Sequence, residues 1–537
     1  MTSWSAGDDA TRVQSTDPMR VLPPKAVRCV LSFDQGTTSS RAILFDRQGR
    51  PLAVAQEEFP QHVRGAAGDA PGGDPGIVEH DPEDIWRSQL SCARRVLAAA
   101  GVSAAQIAAV GVTNQRETTI LWERSTGRPV APAIVWQSRV SAPICGRLRA
   151  AGHEDEVRQQ TGLLLDPYFS ATKIMHLMET VPGLRERCAA GEILFGTVDS
   201  FLIWRLTGGR VHATDVTNAS RTLLFDIHRM AWSEELCSLF GVPRCMLPDV
   251  RPSSGAFGTV EPDLLGAAIP IAGCAGDQQA AAFGQGVVTA GQAKNTYGTG
   301  AFLLFSTGDR AVVSRHGLLT TPACALGGQR HYCLEGSVFV AGSLVGWLRD
   351  GLGLIAEARD IEPLAASAAD SGGVVVVPAL TGLGAPRWDP HARGLIIGLS
   401  RATTRAHVAR AALEAIALSV ADVVECMQRD AGLALASLRV DGGASGNDLL
   451  MQIQADVLGI PVERPAVVET TALGAALLAG LAVGFYASAD DVAAARRVER
   501  TFEPRMPTAA RERMRSAWNE AVCRSLHWAK KPEARHP

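Results

Sequence analysis

The chain has 537 residues, 46% hydrophobic and 20% charged, with a formal net charge of -3; that length suggests roughly two to four domains with a large buried interior. This balance excludes a disordered or collagen-like chain, and five scattered lysines with no dense basic stripe exclude a nucleic-acid surface. Eleven cysteines without a CxxC pair or a Cys/His cluster at ligand spacing fit reduced thiols in a cytoplasm, and no basic start followed by an apolar core marks a secretory signal.

In chain order, residues 1–26 read as a disordered extension. Order is expected from Val27, where VRCVLSF supplies strand formers, and a second run, RAILFD, ends at the turn DRQGR, a hairpin signal. The stretch RGAAGDAPGGDPG (64–76) reads as a flexible insertion. Asp81 as N-cap, Pro82 at the first helical position and Gly101 beyond the end punctuate a helix, with Ile85, Trp86, Ala93, Val96, Leu97 and Ala100 at helical spacing. A strand at 107–113 and a hairpin over 118–136, turning at Ser125-Thr126-Gly127, follow. From Lys294, KNTYGTGAFLLFSTGDR repeats the opening theme, with Gly298-Thr299 in the place of Gly36-Thr37. Later come a helix over 407–430, a strand LASLRVDGG, a helix NDLLMQIQADVLG, a strand PVERP and an apolar helix begun by Thr470 or Thr471. That last run, 472–487, is short for a membrane span and reads as a buried helix. Alternating strands and helices favour an α/β protein, and the two hairpins suggest two related domains, 27–286 and 287–510, followed by a helix and tail over 511–537.

The first good strand is interrupted by Asp34-Gln35-Gly36-Thr37-Thr38-Ser39-Ser40. A tight turn there exposes backbone N–H groups, Gly36 permits positive φ, the hydroxyls add donors, and Asp34 suits a hydrated Mg²⁺. Nucleotide phosphates fit such a turn; an ordinary polar hairpin is the alternative. No GxxxxGK[ST] loop and no protein-kinase motif set occurs, so a nucleotide would bind between hairpin turns and the Gly442-Gly443 start of the helix after VDGGASGN. Taken singly, other residues have plain readings: Arg116 and Glu117 as a surface pair on opposite faces of a strand, Asp277 as a helix cap, and Trp136, Tyr168 and Phe302 as core aromatics.

Together the motifs resemble the actin/hexokinase/sugar-kinase ATPases and, more closely, the FGGY carbohydrate kinases that act on glycerol. GLIIGLSRATTRAHVARAALE (394–414) is similar to an FGGY signature, and DQGTTSSRA, VEHDP, TNQRETT, DPYFS, LFGTVDS, TNASRT, AGDQQAA, AKNTYGTG, GLGAPRWDP and TALGAALLAGLAVGF stand in family order from about residue 27 to about residue 505. The resemblance implies two ribonuclease-H-like (actin-like ATPase) domains facing a central cleft, and transfer from MgATP to glycerol, giving ADP and sn-glycerol 3-phosphate. It implies that Arg116, Glu117, Tyr168, Asp277 and Gln278 hold the polyol's hydroxyls, with Trp136 and Phe302 along its carbons. It assigns Asp277 as general base, Asp34 and Asp277 to the metal, and Thr37, Thr38, Ser39 and Arg41, with Thr299, Gly342, Gly443, Ala444 and Asn447, to the nucleotide. It also implies a cytoplasmic homodimer or homotetramer with no nucleic-acid or membrane partner. Asp448 and Gly346 depart from the family pattern, so nucleotide affinity is expected to differ. The segment 254–270 lacks a Gly-rich basic loop, and no histidine lies between Ser253 and Gln279, so control by fructose 1,6-bisphosphate or by phosphocarriers is not expected. Two other functions fit parts of the pattern: a sibling kinase for another polyol or ketose, and an actin-like or chaperone-like ATPase.

Overall fold

The computed structural model describes residues 13–14, 29–64, 76–488, 491–492 and 496–529. Most of the expected extension (1–26) and of the expected insertion (64–76) lies outside them. Within that stretch, Val13–Gln14 forms an edge strand paired with Ala55 and Val54. The chain divides into two compact units, one holding residues up to Gly286 with Thr321–His331 and Thr470–Arg496, the other holding Val287–Thr320, Tyr332–Glu469 and Arg497–Pro537.

The first unit is built on a six-stranded sheet in the order Val13–Gln14, Pro51–Glu58, Ser39–Phe45, Cys29–Gln35, Ile107–Asn114, Ile271–Gly276. The first four strands are antiparallel to one another in succession, and the last three, starting with Cys29–Gln35, are mutually parallel. Leu31, Phe33, Val110 and Val112 share one face and join a core with Ile85, Ala93 and Val96 of the helix Pro82–Ala100. That helix forms as its local sequence dictates: the Asp81 carboxylate accepts from the Glu83 N–H at 2.8 Å, Pro82 opens it, and Gly101 closes it at φ 62°. On the alternate positions, the register partners Gly111 and Gly273 leave room for the helix Thr470–Ala482. A Cβ on Gly111 would lie 2.2 Å from the Ala475 carbonyl oxygen, and one on Gly273 2.5 Å from the Ala479 nitrogen. The apolar run is thus a helix of small residues pressed onto a sheet, and among the described residues no helix is long and apolar enough to cross a membrane.

The expected hairpin over 118–136 is realised: Thr119 and Trp122 pair antiparallel with Ile134 and Pro129, and Val130 N–H donates to Leu121 O at 3.0 Å. Its turn is present, closed by Gly127 N–H to Glu123 O at 2.8 Å. Ile120–Glu123 also pairs antiparallel with the remote strand Ile193–Gly196.

The second unit repeats the plan. Its sheet includes, in order, Tyr332–Val338, Ala301–Gly308, Ala293–Tyr297, Leu438–Asp441, Val462–Pro465 and Val498–Phe502. Again a hairpin, here Ala293–Tyr297 with Ala301–Gly308, lies beside parallel neighbours. The helix Arg405–Ala431 supplies much of the core. The last helix, Thr508–Ser525, is tied to it by Trp518, which is buried and donates from Nε1 to Asp422 at 2.9 Å.

Candidate active site

The three parallel strands of the first unit end level, with Gln35, Asn114 and Gly276 in register. Open α/β sheets present ligand-binding groups at such carboxyl ends. Beyond Asn114 the chain is held by Gln115, whose N–H donates to Gln35 O at 2.7 Å and whose Nε2 donates to Gly36 O at 3.0 Å. Then it turns. Glu117 adopts φ 63°, and Thr118 N–H donates to Arg116 O at 2.7 Å, closing a three-residue turn. In an extended strand Arg116 and Glu117 would face opposite ways; here Arg116 Nε lies 3.8 Å from Glu117 Oε1. Both residues are buried, 3% and 1% exposed, so the surface-pair reading fails.

This pair anchors a charge network. Arg116 Nε also meets Asp277 Oδ1 at 3.1 Å, and its Nη1 donates to Gln279 Oε1 at 3.2 Å. Arg221, fully buried, donates from Nε to Glu117 Oε1 at 2.6 Å. Asp277 opens the helix Asp277–Gly284. Its carboxylate accepts from the Gln278 N–H at 2.7 Å and from Gln278 Nε2 at 3.2 Å, so the helix-cap reading is partly true. Yet its side chain is 33% exposed, against 2% for that of Arg116, which makes it the reachable group of the pair. Gly276 is required beneath it, since a Cβ there would come within 2.7 Å of the Arg116 side chain.

The aromatic wall joins the same set. Trp136 and Tyr168 meet edge to face with ring centres 5.6 Å apart, and Arg221 lies over the Tyr168 ring at 5.8 Å. Trp136 Nε1 donates to Thr37 Oγ1 at 2.9 Å, linking the wall to the hairpin turn. Arg116, Glu117, Trp136, Tyr168, Asp277, Gln278 and Thr37 therefore form one connected group. Phe302 belongs to the second unit, half-buried opposite Thr296 in the strand pair.

The hairpin turn differs in detail from its sequence reading. Gly36 does not adopt a left-handed φ; its N–H donates to Ser39 O at 2.9 Å, and a Cβ would lie 3.2 Å from that oxygen. Close approach, rather than φ, is what glycine supplies here. Thr38 is exposed, and Thr37 and Ser39 are half-buried, whereas the Ser40 hydroxyl is turned inward to Ser88 Oγ at 2.8 Å. Arg41 pairs across the strands with Asp34 at 3.2 Å, so the groups expected to meet phosphate and metal neutralise one another.

In the second unit the corresponding turn is linked to a helix start. Thr299 O accepts from the N–H groups of Ala341 and Ser343 at 2.9 and 3.0 Å, and Gly298 O accepts from Gly342 N–H at 3.0 Å. A Cβ on Gly342 would lie 2.5 Å from Gly298 O. At Gly442, φ is 83° and a Cβ would meet Tyr297 O at 2.5 Å, so the chain passes closely into the turn carrying Gly443 and Ala444. Asn447 caps the helix Asp448–Leu458, its Oδ1 accepting from Leu450 N–H at 2.8 Å. Asp448, the departure from the family pattern, is held by Arg464 at 2.8 Å and by Arg500. Gly346 has no atom within 4 Å of a Cβ position.

Among the described residues, the side chains grouped closely enough to ligate a metal are Asp199, Asp215 and Cys274. The two carboxylates are already ringed by donors: Thr197 and Thr214 on Asp199, and Thr217, Asn218 and Ser253 on Asp215. Burial raises both acids, Asp215 to about 6. They form a hydrogen-bonded support beneath the site, since Thr217 Oγ1 accepts from Gly276 N–H at 2.8 Å. Sequence reading assigned no role to Asp215, Arg221, Gln279 or Lys173. The available signal was Lys173 itself, one of five lysines in the chain.

Two units, each with a hairpin beside parallel strands, one carrying a buried acid–arginine cluster and the other a glycine-rich turn at helix starts, define an α/β phosphotransferase of the actin-like ATPase class. The chain belongs to the FGGY family of carbohydrate kinases: the family's N-terminal domain matches residues 29–284 and its C-terminal domain residues 293–483. It is 57% identical over 500 residues to a glycerol kinase of Dechloromonas aromatica, covering 93% of this chain and 98% of that one. It is 54% identical over 506 residues to glycerol kinase 2 of Thermotoga maritima, covering 94% and 100%. Among solved structures it resembles Plasmodium falciparum glycerol kinase with ADP at TM-score 0.85 and 35% identity, covering 93% and 98%.

Proposed function

We propose that this protein transfers the γ-phosphoryl group of ATP to glycerol, releasing ADP and sn-glycerol 3-phosphate. The observation that carries the reading is the turn at Glu117, which brings Arg116 and Glu117 to one side, beside Asp277. A small polyol needs both donors and acceptors within one short span, and charged two-sided partners discriminate best. The likeness to glycerol kinases over nearly the whole chain supports the same substrate.

Arg116 and Gln278 would donate to glycerol hydroxyls and Glu117 would accept. Trp136 and Tyr168 would cover the carbon chain. Asp277, the accessible carboxylate, would take the proton of the attacking hydroxyl, while Arg116 keeps that carboxylate oriented. Thr37, Thr38, Ser39 and Arg41 would meet phosphate from the first unit, and Thr299, Gly342, Gly443, Ala444 and Asn447 would hold nucleotide in the second. The carboxylates of Asp34 and Asp277 are the hard oxygen donors that Mg²⁺ takes, so these residues fit a hydrated ion, which when bound would neutralise charge on the phosphates.

The test is ADP release with MgATP and, separately, glycerol, dihydroxyacetone, xylulose, ribulose, gluconate or no acceptor. Glycerol-dependent turnover yielding sn-glycerol 3-phosphate is expected. Turnover with another acceptor alone would overturn the substrate assignment, and acceptor-independent turnover would overturn the transferase reading.

A further inference from the structure

Lys173 lies in the helix Ser170–Thr180 with no exposed surface. A fully buried lysine is rare, because its amine must leave water. Its Nζ donates to two backbone carbonyls, Glu117 O at 3.1 Å and Tyr168 O at 2.7 Å. Neither belongs to the helix that carries it; both belong to residues of the proposed polyol site. We propose that Lys173 is a positioning residue for polyol binding, tying the Glu117 turn to the Tyr168 loop from beneath. This rests on the functional reading above and assigns the residue that shapes the same site.

Glu117 needs such a tie. Its left-handed φ is unfavourable for a residue with a side chain, and three donors converge on its carbonyl: Lys173, Ser170 Oγ at 3.1 Å and Thr119 Oγ1 at 3.2 Å. Arg221 holds the carboxylate of the same residue. Lysine thus fixes the backbone and arginine the side chain, and the two divide one task. Burial pushes Lys173 down to about 7, with Arg139 acting the same way, against the upward pull of Glu117, Asp166 and Cys145.

Lys173→Met keeps the length and removes the donors. In steady-state assays the glycerol KM is expected to rise at least tenfold while the ATP KM stays within about twofold of wild type, a split that general destabilisation would not produce. A folded Met variant whose glycerol KM lies within twofold of wild type, or whose two KM values rise together, overturns the proposal. If that variant melts below the assay temperature, Ser170→Ala decides, since it removes one donor from the same Glu117 carbonyl. A rise of threefold or more in glycerol KM alone supports the tie, and no rise overturns it. Wild-type protein that does not turn over glycerol would overturn the functional reading, and this proposal with it, an outcome visible before any variant is made.

Discussion

Arg116 is shared by two carboxylates of different standing: Glu117 is buried and has a second arginine, while Asp277 is partly exposed and faces outward. That asymmetry separates stability from chemistry. Asp277→Asn removes the proposed base but leaves Arg116 beside Glu117, so the fold should persist while kcat falls about 10²–10⁴-fold. Steady-state kinetics checks this, and near wild-type kcat would remove Asp277 from the proton transfer. Glu117→Gln does the reverse. It leaves Arg221, fully buried, facing a neutral amide, and breaking a buried pair from one side costs about 3–5 kcal/mol. A urea midpoint unchanged from wild type would show that Arg221 finds compensation elsewhere. The same-sidedness of Arg116 and Glu117 was not legible in the sequence, because no residue type at 117 advertises a left-handed φ. The motif TNQRETT marked the place without giving the turn.

The helices and turns were legible where their determinants are local. The helix Pro82–Ala100 carries its cap, its proline and its closing glycine in adjacent positions. The strand Ile120–Glu123 was legible only on one side: the turn at 125–127 gave its local pairing with the returning chain, whereas its second partner, Ile193–Gly196, lies far along the chain. Glycine is likewise ambiguous: Gly36 serves close approach, not positive φ. The helix Gly342–Asp350 offers a direct contrast. A Cβ at Gly342 would collide with Gly298 O, whereas one at Gly346 meets nothing within 4 Å. Gly342→Ala is expected to cost about 1–3 kcal/mol through forced overpacking and to weaken ADP binding about tenfold by shifting the helix start from Thr299. Gly346→Ala should be neutral or stabilise by up to about 1 kcal/mol, as alanine favours a helix interior. Melting temperature and ADP titration of the pair test this; equal effects at both positions would sink the steric argument.

Across the whole molecule, the two-unit plan was readable because the hairpin theme repeats with Gly-Thr in matching places, while the buried ionisable groups were not, since burial is a property of packing. Those groups set how stability responds to pH. His80 is buried and His212 half-buried, and both are pushed down from 6.5 to about 4, chiefly by loss of water. The unfolded chain binds their protons between those values, so their contribution is full above about 6.5 and lost as pH falls through about 4. Asp215 acts oppositely. Burial raises it from 3.8 to about 6, so its contribution is full below 3.8 and lost as pH rises through about 6, and Asp199 is shifted in the same direction. Between pH 4.5 and 6.5 the two histidines and the two acids therefore pull stability in opposite directions. Asp215→Asn removes one of the two acids. With a full shift converting at about 1.4 kcal/mol per unit, its stability should rise from pH 4.5 to 6.5 by about 2 kcal/mol relative to wild type, even though the variant is weaker overall through lost acceptors for Thr217 and Ser253. Urea midpoints at the two pH values measure the difference. Parallel responses in wild type and variant would mean that Asp215 does not titrate in this window, and that its ring of donors, rather than its burial, sets its charge.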